Sequence, residues 1–427
     1  MIVLIIGTNP LPNYVVADYL KDKDRQFCLV YSEERCEINQ SGTYKFAESI
    51  KEQLIKNGCR EEQFQFLPLS NVSLVEDIRI DLQKLFSSQN FERIHLNYTG
   101  GTKVMAACLH EFIKEKFPYA DFSYLDARTY KLLYDDRKIE PETGDMRTYV
   151  SLDISTLLSL HGYNIKEPVR YFMEKDFGKV LNILINLLNT GEINEFIEWK
   201  DEYLRKIFYD EDGNLIDTIK KFKENIEKES LSKIVGNFPT SLTPNIKEIL
   251  NSFPDEKKII TNENTLWTPQ PSDINKALEN KTSVVDFLDG KWLEWYILDK
   301  VKNIEGITGY GCGLQANKPN TRNFELDVFL IKGYQLIGIS VTTAGFRNKK
   351  IEKYLCKSKG FEVIHRTKQI GGDEAKSVLI TGLDSNSALE LEKDIQGITG
   401  SAEEHFKVFG KDDIKDIETK IKDFVGG

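Results

Sequence analysis

The amino-acid sequence predicts an α/β protein whose N-terminal part is a Rossmann-like, doubly wound parallel sheet. In the first third of the chain, short and continuously apolar runs alternate with amphipathic segments. Such runs are typical of parallel strands that helices cover on both faces. The length of 427 residues is more than one hydrophobic core usually holds, so we expect two or three domains.

The predicted elements of the first region follow one another as repeated β–α units. The strands are residues 2–6, 27–31, 64–67, 93–97, 122–125 and 131–134. Apolar side chains at helical spacing predict helices at 12–20, 46–54, 75–85 and 104–112. Because parallel neighbours need a crossover helix, this alternation favours a parallel sheet over residues 1–140.

The rest of the chain divides into two further predicted regions. Residues 141–282 show amphipathic and charged helical patterns, at 177–188 and 220–233, and form a mostly helical connector. Residues 283–427 begin with a helical pattern at 286–304 and continue as a second α/β domain with a C-terminal extension. Its predicted strands are 323–330, 334–343, 378–381 and 405–409, with a hairpin turn at Lys332 and Gly333 and a helix at 357–369.

Composition and charge exclude several classes of protein. No apolar run approaches the roughly 20 residues of a membrane helix, so we expect a cytoplasmic protein with no membrane partner. The six cysteines and five histidines show no zinc-binding spacing. With a net charge of −10, any nucleic acid must bind a local basic groove and not a general basic surface.

A glycine turn follows the predicted fourth strand, at residues 97–103 with the sequence NYTGGTK. Gly100 and Gly101 allow backbone amides to approach a ligand closely, and the helix that follows adds unpaired N–H groups and the positive end of its dipole. Lys103 adds a full positive charge. The turn matches neither GxxxxGK[ST] nor GxGxxG, which disfavours ATP hydrolysis and NAD binding. The pattern predicts a ligand that carries phosphate; a plain capped helix is the alternative.

The order strand–GTNP–helix, then strand–NYTGGTKVM–helix, resembles the CRISPR-associated Rossmann fold (CARF) family over residues 1 to about 140. The resemblance implies a homodimer that senses a cyclic oligoadenylate, cyclic tetra-adenylate or cyclic hexa-adenylate, in type III CRISPR antiviral defence. A ring with internal symmetry suits a pocket formed twice across a two-fold axis. The implied ligand contacts are Thr8, Asn9, Pro10, Asn13, Thr99, Gly100, Gly101, Thr102 and Lys103. Tyr31 and Ser32 would frame the base, and Asp126 would lie nearer the edge of the site.

Two acidic residues in the C-terminal region point to a different chemistry. Glu325 and Asp327 are two positions apart on a predicted strand, so both side chains leave the same face. Carboxylates beside apolar residues are costly unless they are solvated or bound to a cation. The order helix–strand–strand–helix with such acids resembles the PD-(D/E)XK nuclease family. Asp327 matches that family's first metal-binding acid, and Glu294 matches an acid often found on the preceding helix.

The next strand departs from the family pattern. Ser340-Val341-Thr342 occupies the positions of Glu-x-Lys, so the candidate site contains Ser340 and Thr342 in place of an acid and a lysine. Mg²⁺ or Mn²⁺ could still bind Glu294, Glu325, Asp327 and the Val341 carbonyl, because hard cations accept oxygen donors of each kind. Lys357 on the following helix is a candidate replacement for the lysine; a solvated helix lysine is the alternative.

Together these features predict a cyclic oligoadenylate-activated, metal-dependent nuclease that cleaves single-stranded RNA or DNA. Ligand binding would shift the N-terminal dimer to a state that opens the nuclease domains to substrate. Two alternatives remain open. The C-terminal domain could have lost catalysis and act as a ligand-dependent binding module. The sensor could also cleave its own ring, with Lys103 and Thr8 as the residues involved.

Overall fold

The fold combines two six-stranded sheets with helices on their faces, which confirms the predicted α/β class. The computed structural model describes residues 1–86, 91, 93–136, 144–271, 273–319, 321, 323–347 and 350–426. The predicted boundary between residues 140 and 141 lies outside these described residues. Within them, no helix is long and apolar enough to cross a membrane.

The first sheet has the strand order β3-β2-β1-β4-β5-β6, and all its neighbours are parallel except the last pair. Its strands are β1 (Ile2–Ile5), β2 (Phe27–Ser32), β3 (Phe64–Leu69), β4 (His95–Asn97), β5 (Asp121–Asp126) and β6 (Lys131–Tyr134). The helices are α1 (Leu11–Leu20), α2 (Tyr44–Lys56), α3 (Val75–Phe86) and α4 (Lys103–Lys116). The order reverses between β1 and β4, and at such a switch point the strand ends form a crevice where ligands bind. All six predicted strands are confirmed.

The middle of the chain is helical, as predicted, apart from one short strand. Its elements are α5 (Ile154–Leu160), β7 (Asn164–Ile165), α6 (Gly178–Thr190), α7 (Ile193–Trp199), α8 (Arg205–Phe208), α9 (Ile219–Ile226), α10 (Glu229–Asn237) and α11 (Pro244–Asn251). The prediction of one charged helix over 220–233 was wrong. The backbone of Lys228 is extended (ψ 133°), and this ends α9 before α10 begins.

The second sheet has the order β12-β11-β10-β9-β8-β7. Its remaining elements are α12 (Asn275–Asp286), α13 (Trp292–Val301), β8 (Gly309–Asn317), β9 (Phe324–Lys332), β10 (Gln335–Val341), α14 (Lys350–Gly371), β11 (Lys376–Ile380), α15 (Ser385–Thr399), β12 (Phe406–Phe409) and α16 (Ile417–Val425). The predicted β9–β10 hairpin is confirmed, and Gly333 turns it with a φ of +62°. The sequence did not predict β8, which pairs with β9 on the other side.

Within the described part of the chain, two helices are interrupted by π-helical turns. One turn, Lys200–Leu204, joins α7 to α8, and the other, Phe287–Lys291, joins α12 to α13. A π-turn inserts an extra residue into a helix and thereby rotates everything that follows it about the helix axis. The second π-turn therefore sets the direction in which Glu294 leaves α13.

The strands β8 and β9 exchange faces near one point of their ladder. Cys312 and Val328 pair and pack in the core cluster that contains α13, whereas Leu314 and Leu326 pair and pack in a different cluster. Gly313 makes the crossing possible with a φ of +64°, a backbone conformation that side chains disfavour. Asp327 lies opposite this glycine, at the point where the sheet changes faces.

Candidate functional site

The two strand ends predicted to bind a ligand lie against each other. A Cβ at Gly7, after β1, would be 2.9 Å from the Gly101 nitrogen. A Cβ at Gly100 would be 2.2 Å from the Ile5 carbonyl oxygen, and Gly101 has a φ of +75°. Any side chain at residue 100 would therefore push the two turns apart. The glycines are required because β1 and β4 end side by side at the switch point.

We call the two strand ends, residues 7–10 and 97–103, the ligand turn. Its exposed residues carry groups that can bind phosphate. Thr8, Gly101, Thr102 and Lys103 are exposed, and Thr99 and Gly100 are half-buried. The Thr102 hydroxyl accepts a hydrogen bond from the Met105 N–H at 3.2 Å and so caps α4. The open N-terminus of α4, with the Lys103 ammonium beside it, gives an electropositive surface that suits an anion.

Other predicted contact residues lie deeper and hold the turn in place. Asn13 is fully buried and donates to the Ile5 carbonyl at 3.1 Å, while its own Oδ1 has no partner among the described residues. Buried Ser32 donates to the Ser41 carbonyl at 2.8 Å. Asp126 accepts from Thr129 at 2.8 Å and pairs with Arg128 at 3.2 Å. The remaining predicted members are Pro10, which is buried, and Tyr31, which is half-buried and contacts the rings of Tyr44 and Phe66.

Asn9 faces the C-terminal region instead of the open side of the turn. Its Oδ1 lies 3.3 Å from Nε2 of His161, a buried imidazole whose pKa burial lowers to about 4. A Cβ at Gly372, just after α14, would be 2.3 Å from the Asn9 Nδ2. Asn9 also forms a hydrogen bond that favours the ionised form of Glu374. The ligand turn is thus in direct contact with the end of α14.

Five of the candidate nuclease residues line one cavity of about 340 Å³. We call it the acidic cavity. Its lining residues are Arg205, Asp286, Asp289, Gly290, Lys291, Glu294, Gln315, Glu325, Asp327, Val341, Thr342, Thr343 and Lys359. The sequence predicted Glu294, Glu325, Asp327, Val341 and Thr342 as site residues, and all five line this cavity. The sequence did not predict Asp286, Asp289 or Arg205.

Three carboxylates of the acidic cavity repel one another. Burial raises the pKa of Glu294 well above its usual value, and the charges of Asp327 and Glu325 raise it further. The pKa of Glu325 is also raised, by partial burial and then by Asp327. By contrast, Asp286 pairs with Lys291 at 2.5 Å, and Asp289 pairs with Arg205 at 2.7 Å. Among the described residues, the other three carboxyls, those of Glu294, Glu325 and Asp327, have no such ion pair, so a bound cation would offset the repulsion between them.

The strand that lacks Glu-x-Lys supports Asp327 instead. The Ser340 hydroxyl donates to Asp327 Oδ2 at 2.9 Å, and the Val341 N–H donates to the same oxygen at 2.7 Å. The Thr342 hydroxyl accepts from the Ala344 N–H at 3.1 Å and so serves the turn after β10. Ser340 and Val341 therefore fix the orientation of the Asp327 carboxylate.

The suggested lysine lies elsewhere. The Lys357 ammonium pairs with Asp394 on α15 at 2.6 Å and lines a different cavity. The lysines that line the acidic cavity are Lys359, half a turn further along α14, and Lys291 of the π-turn. The i+4 spacing that suggested Lys357 located the helix but selected the wrong face.

The donor chemistry of the acidic cavity suits a hard divalent cation. Carboxylate and carbonyl oxygens are the ligands that Mg²⁺ and Mn²⁺ prefer. Within the described residues, no three His, Cys, Asp or Glu side chains are arranged to hold a metal by themselves. A metal here would thus depend on two carboxylates together with a backbone carbonyl.

Comparisons with known proteins bear on the N-terminal region and on the whole fold. Residues 1–152 match the family described as the Card1 CARF domain. The structure of protein VC1899 from Vibrio cholerae is similar over 100% of this chain and 98% of its own, with a TM-score of 0.65 and 15% identity. Can2 from Sulfobacillus thermosulfidooxidans, solved in complex with cyclic tetra-adenylate, is similar over 100% of both chains, with a TM-score of 0.63 and 13% identity. At such identities the likeness establishes the fold. No curated protein matches the sequence.

Proposed function

We propose that this chain, whose residues 1–152 match a CARF domain, is a cyclic oligoadenylate-activated, metal-dependent nuclease of type III CRISPR antiviral defence. One observation carries the proposal: the same chain has a CARF-type ligand turn and, in its second sheet, an acidic cavity with three mutually repelling carboxylates. The first is an input site for an anionic ligand. The second has the chemistry of phosphodiester hydrolysis.

The input ligand that we propose is cyclic tetra-adenylate, with cyclic hexa-adenylate as the other candidate. Thr8, Thr102 and Lys103 are exposed at the turn and would bind its phosphates, and the N–H groups of Gly100 and Gly101 would approach it closely. The complex of the structurally similar Can2 with cyclic tetra-adenylate supports the smaller ring. We also propose a homodimer around the ring, which light scattering of the purified protein tests.

In the acidic cavity, Glu294, Asp327 and the Val341 carbonyl would hold Mg²⁺ or Mn²⁺, with Glu325 close by. Bound there, such an ion polarises a phosphate and lowers the pKa of a coordinated water. Ser340 and the Val341 N–H keep Asp327 oriented, so the strand without Glu-x-Lys still contributes to the site. Lys291 and Lys359 supply positive charge that offsets the charge of the substrate phosphate.

The test is a cleavage assay with the full chain. Single-stranded RNA and single-stranded DNA are each incubated with protein, Mn²⁺ or Mg²⁺, and cyclic tetra- or hexa-adenylate. We expect cleavage that requires both the metal and one of the rings, and a loss of at least about a hundredfold for Asp327→Asn, because the substitution removes a charge that is needed in the transition state. Lys103→Glu should weaken ring binding, so that metal-dependent cleavage requires a higher concentration of the ring. Lys357→Ala is the matched control and should cleave normally.

Absence of cleavage with every combination, while ring binding is measurable by calorimetry, would refute the nuclease proposal. That result would favour the second candidate, a sensor whose C-terminal region binds nucleic acid or a protein without cleaving. Ser340 and Thr342 in place of an acid and a lysine are the observation that favours this candidate. Mass spectrometry of the ring after incubation distinguishes the third possibility, since linear products would show that Lys103 and Thr8 serve a ring-cleaving sensor.

A further inference from the structure

The helical middle of the chain reaches the acidic cavity through its π-turn. Lys200, the first residue of that turn, is 2% exposed, and its ammonium donates to the Asp289 carbonyl at 3.0 Å. Asp289 belongs to the other π-turn, so the two π-turns bind each other directly. Single π-turns are rare in helices and occur often at functional sites. Their contact makes the helical region part of the cavity wall.

Arg205 follows the first π-turn and lies at the rim of the cavity. Its Nε donates to Asp289 Oδ1 at 2.7 Å, and its Nη2 donates to Oδ2 at 3.0 Å, while 54% of its side chain is exposed. Burial alone would raise the pKa of Asp289, but Arg205 and Lys200 lower it, so the carboxylate stays ionised. A guanidinium has five N–H donors, and this fork uses two of them. Arg205 is therefore fixed in place with donors left to bind an anion.

A second cavity of about 450 Å³ adjoins the acidic cavity at this residue. Arg205 lines both of them, and Lys206, Tyr209, Lys228 and Leu231 line only the second. The Tyr209 hydroxyl donates to Asp289 Oδ2 at 3.0 Å, so the same carboxylate that orients Arg205 also holds the Tyr209 ring in the wall. The volume lies in the range of sites that bind small organic ligands.

We propose that this second cavity is a subsite for one nucleotide next to the bond that is cleaved, and that Arg205 binds the phosphate between the two cavities. The inference rests on the proposed nuclease function. A single strand alternates phosphate and base, and here a fixed guanidinium lies between a site for the scissile phosphate and a pocket with an aromatic and an aliphatic wall. The arginine guanidinium binds phosphate through two parallel N–H donors, and any of the bases can stack on a tyrosine ring.

The test measures binding and cleavage separately in the full chain. A fluorescein-labelled single-stranded oligonucleotide is titrated by anisotropy against protein with the Asp327→Asn substitution, with and without Arg205→Ala, at several salt concentrations. We expect Arg205→Ala to weaken binding about tenfold and to reduce the salt slope by roughly 0.7, the value for one phosphate contact on a single strand. In the chain that retains Asp327, the same substitution should raise KM about tenfold and change kcat less than about threefold, because the contact exists in both the ground state and the transition state.

Two further variants keep the test decisive. Ser230→Trp places a bulky ring at the second cavity and leaves Arg205 paired, so it should raise KM even if Arg205→Ala disturbs folding. Arg79→Ala removes a similar Arg–carboxylate pair, with Glu111, that does not line either cavity, and should change nothing. If the wild type cleaves but Arg205→Ala and Ser230→Trp leave KM and salt slope unchanged, the subsite is wrong and the nuclease stands. If the wild type binds oligonucleotide through Arg205 but never cleaves, the nuclease proposal is overturned, and with it the cleavage subsite; Arg205 and the second cavity then form a nucleotide-binding site without catalysis. If the wild type neither binds nor cleaves, both are overturned.

Discussion

Glu374 is a buried acid at the junction between the ligand turn and the second sheet. Its side chain is 2% exposed, and its Oε2 has no hydrogen-bond partner among the described residues. Burial raises its pKa to about 7, and the neighbouring Asp373 adds to the shift, whereas hydrogen bonds from its own backbone and from Asn9 act in the opposite direction. Near neutral pH this carboxyl is therefore divided between its two protonation states.

Glu374 should make the folded protein less stable as the pH rises. Its protonated form is favoured in the folded state, so its stabilising effect is complete below the usual pKa of 4.5 and is lost as the pH rises through about 7. A shift of this size corresponds to about 3 kcal/mol of unfolding free energy. We expect Glu374→Gln to remove this part of the pH dependence, measured by denaturant unfolding between about pH 5 and about pH 8.

Glu362→Gln, at a half-exposed helix position, is the control and should keep the wild-type profile. Parallel wild-type and Glu374→Gln curves over this range would contradict the assignment.

At the residue scale, the sequence predicted three carboxylates of the acidic cavity but not the Arg205–Asp289 pair at its rim. Glu294, Glu325 and Asp327 could be predicted because acids beside apolar positions are unusual. Arg205 and Asp289 could not, since each is an ordinary surface residue by its local pattern. They become part of the site only because two π-turns, which have no sequence signature, bring distant helices together.

At the scale of elements, β10 supports Asp327 through Ser340 and Val341 near its C-terminal end. Its middle packs against α14. A Cβ at Gly338, in the middle of β10, would be 2.0 Å from Oγ1 of the buried Thr367 on α14. The helix thus packs directly on the strand backbone. This close approach fixes the distance between the β10 backbone and α14.

Gly338→Val should therefore destabilise the protein and reduce cleavage together. Overpacking at such a contact costs about 2 kcal/mol of unfolding free energy, and the displaced strand would carry Ser340 and Val341 away from Asp327. Chemical denaturation and the cleavage assay measure the two effects. Gly236→Ala on α10, where a Cβ meets nothing within 4 Å, should be neutral or slightly stabilising. Normal stability in Gly338→Val would show that α14 can retreat.

The sequence did not predict β8, because irregular backbone interrupts this strand. The strand β8 contains three glycines and changes faces at Gly313, so it lacks the alternation on which a strand prediction depends. In contrast, the first sheet was predicted strand by strand, because its apolar runs are continuous and its helices have regular spacing.

At the scale of the whole molecule, a buried hydrogen-bond network joins the first sheet to β10. Gln335, the first residue of β10, is fully buried and donates to the Tyr130 hydroxyl at 2.5 Å and to the Glu374 carbonyl at 2.7 Å. Its Oε1 accepts from Arg147 at 2.7 Å. Tyr130 closes the turn that begins at Asp126, beside the ligand turn. The path from the input site to Asp327 is therefore one turn and one strand long.

Tyr130→Phe, which removes only the hydroxyl, should weaken activation by the ring. The expected effect is a fall of about fivefold in the ratio of ring-stimulated to unstimulated cleavage, the lower range of allosteric coupling. Rates with saturating ring and without it give this ratio. Tyr149→Phe, at a tyrosine that is 55% exposed, should leave it unchanged. An unaltered ratio in Tyr130→Phe would show that the signal takes another route.

One hydrophobic cluster contains side chains from both sheets: Ile2 and Leu29 of the first sheet share it with Leu326 and Leu379 of the second, and Leu157 of α5 lies in it as well. Neither sheet can lose this cluster without exposing the apolar face of the other. The two sheets should therefore melt in one cooperative transition. A ligand that binds only the native state stabilises everything that unfolds with its site. A ring bound at residues 97–103 would thus protect distant strands such as β11 and β12 from heat and proteolysis, although it touches neither.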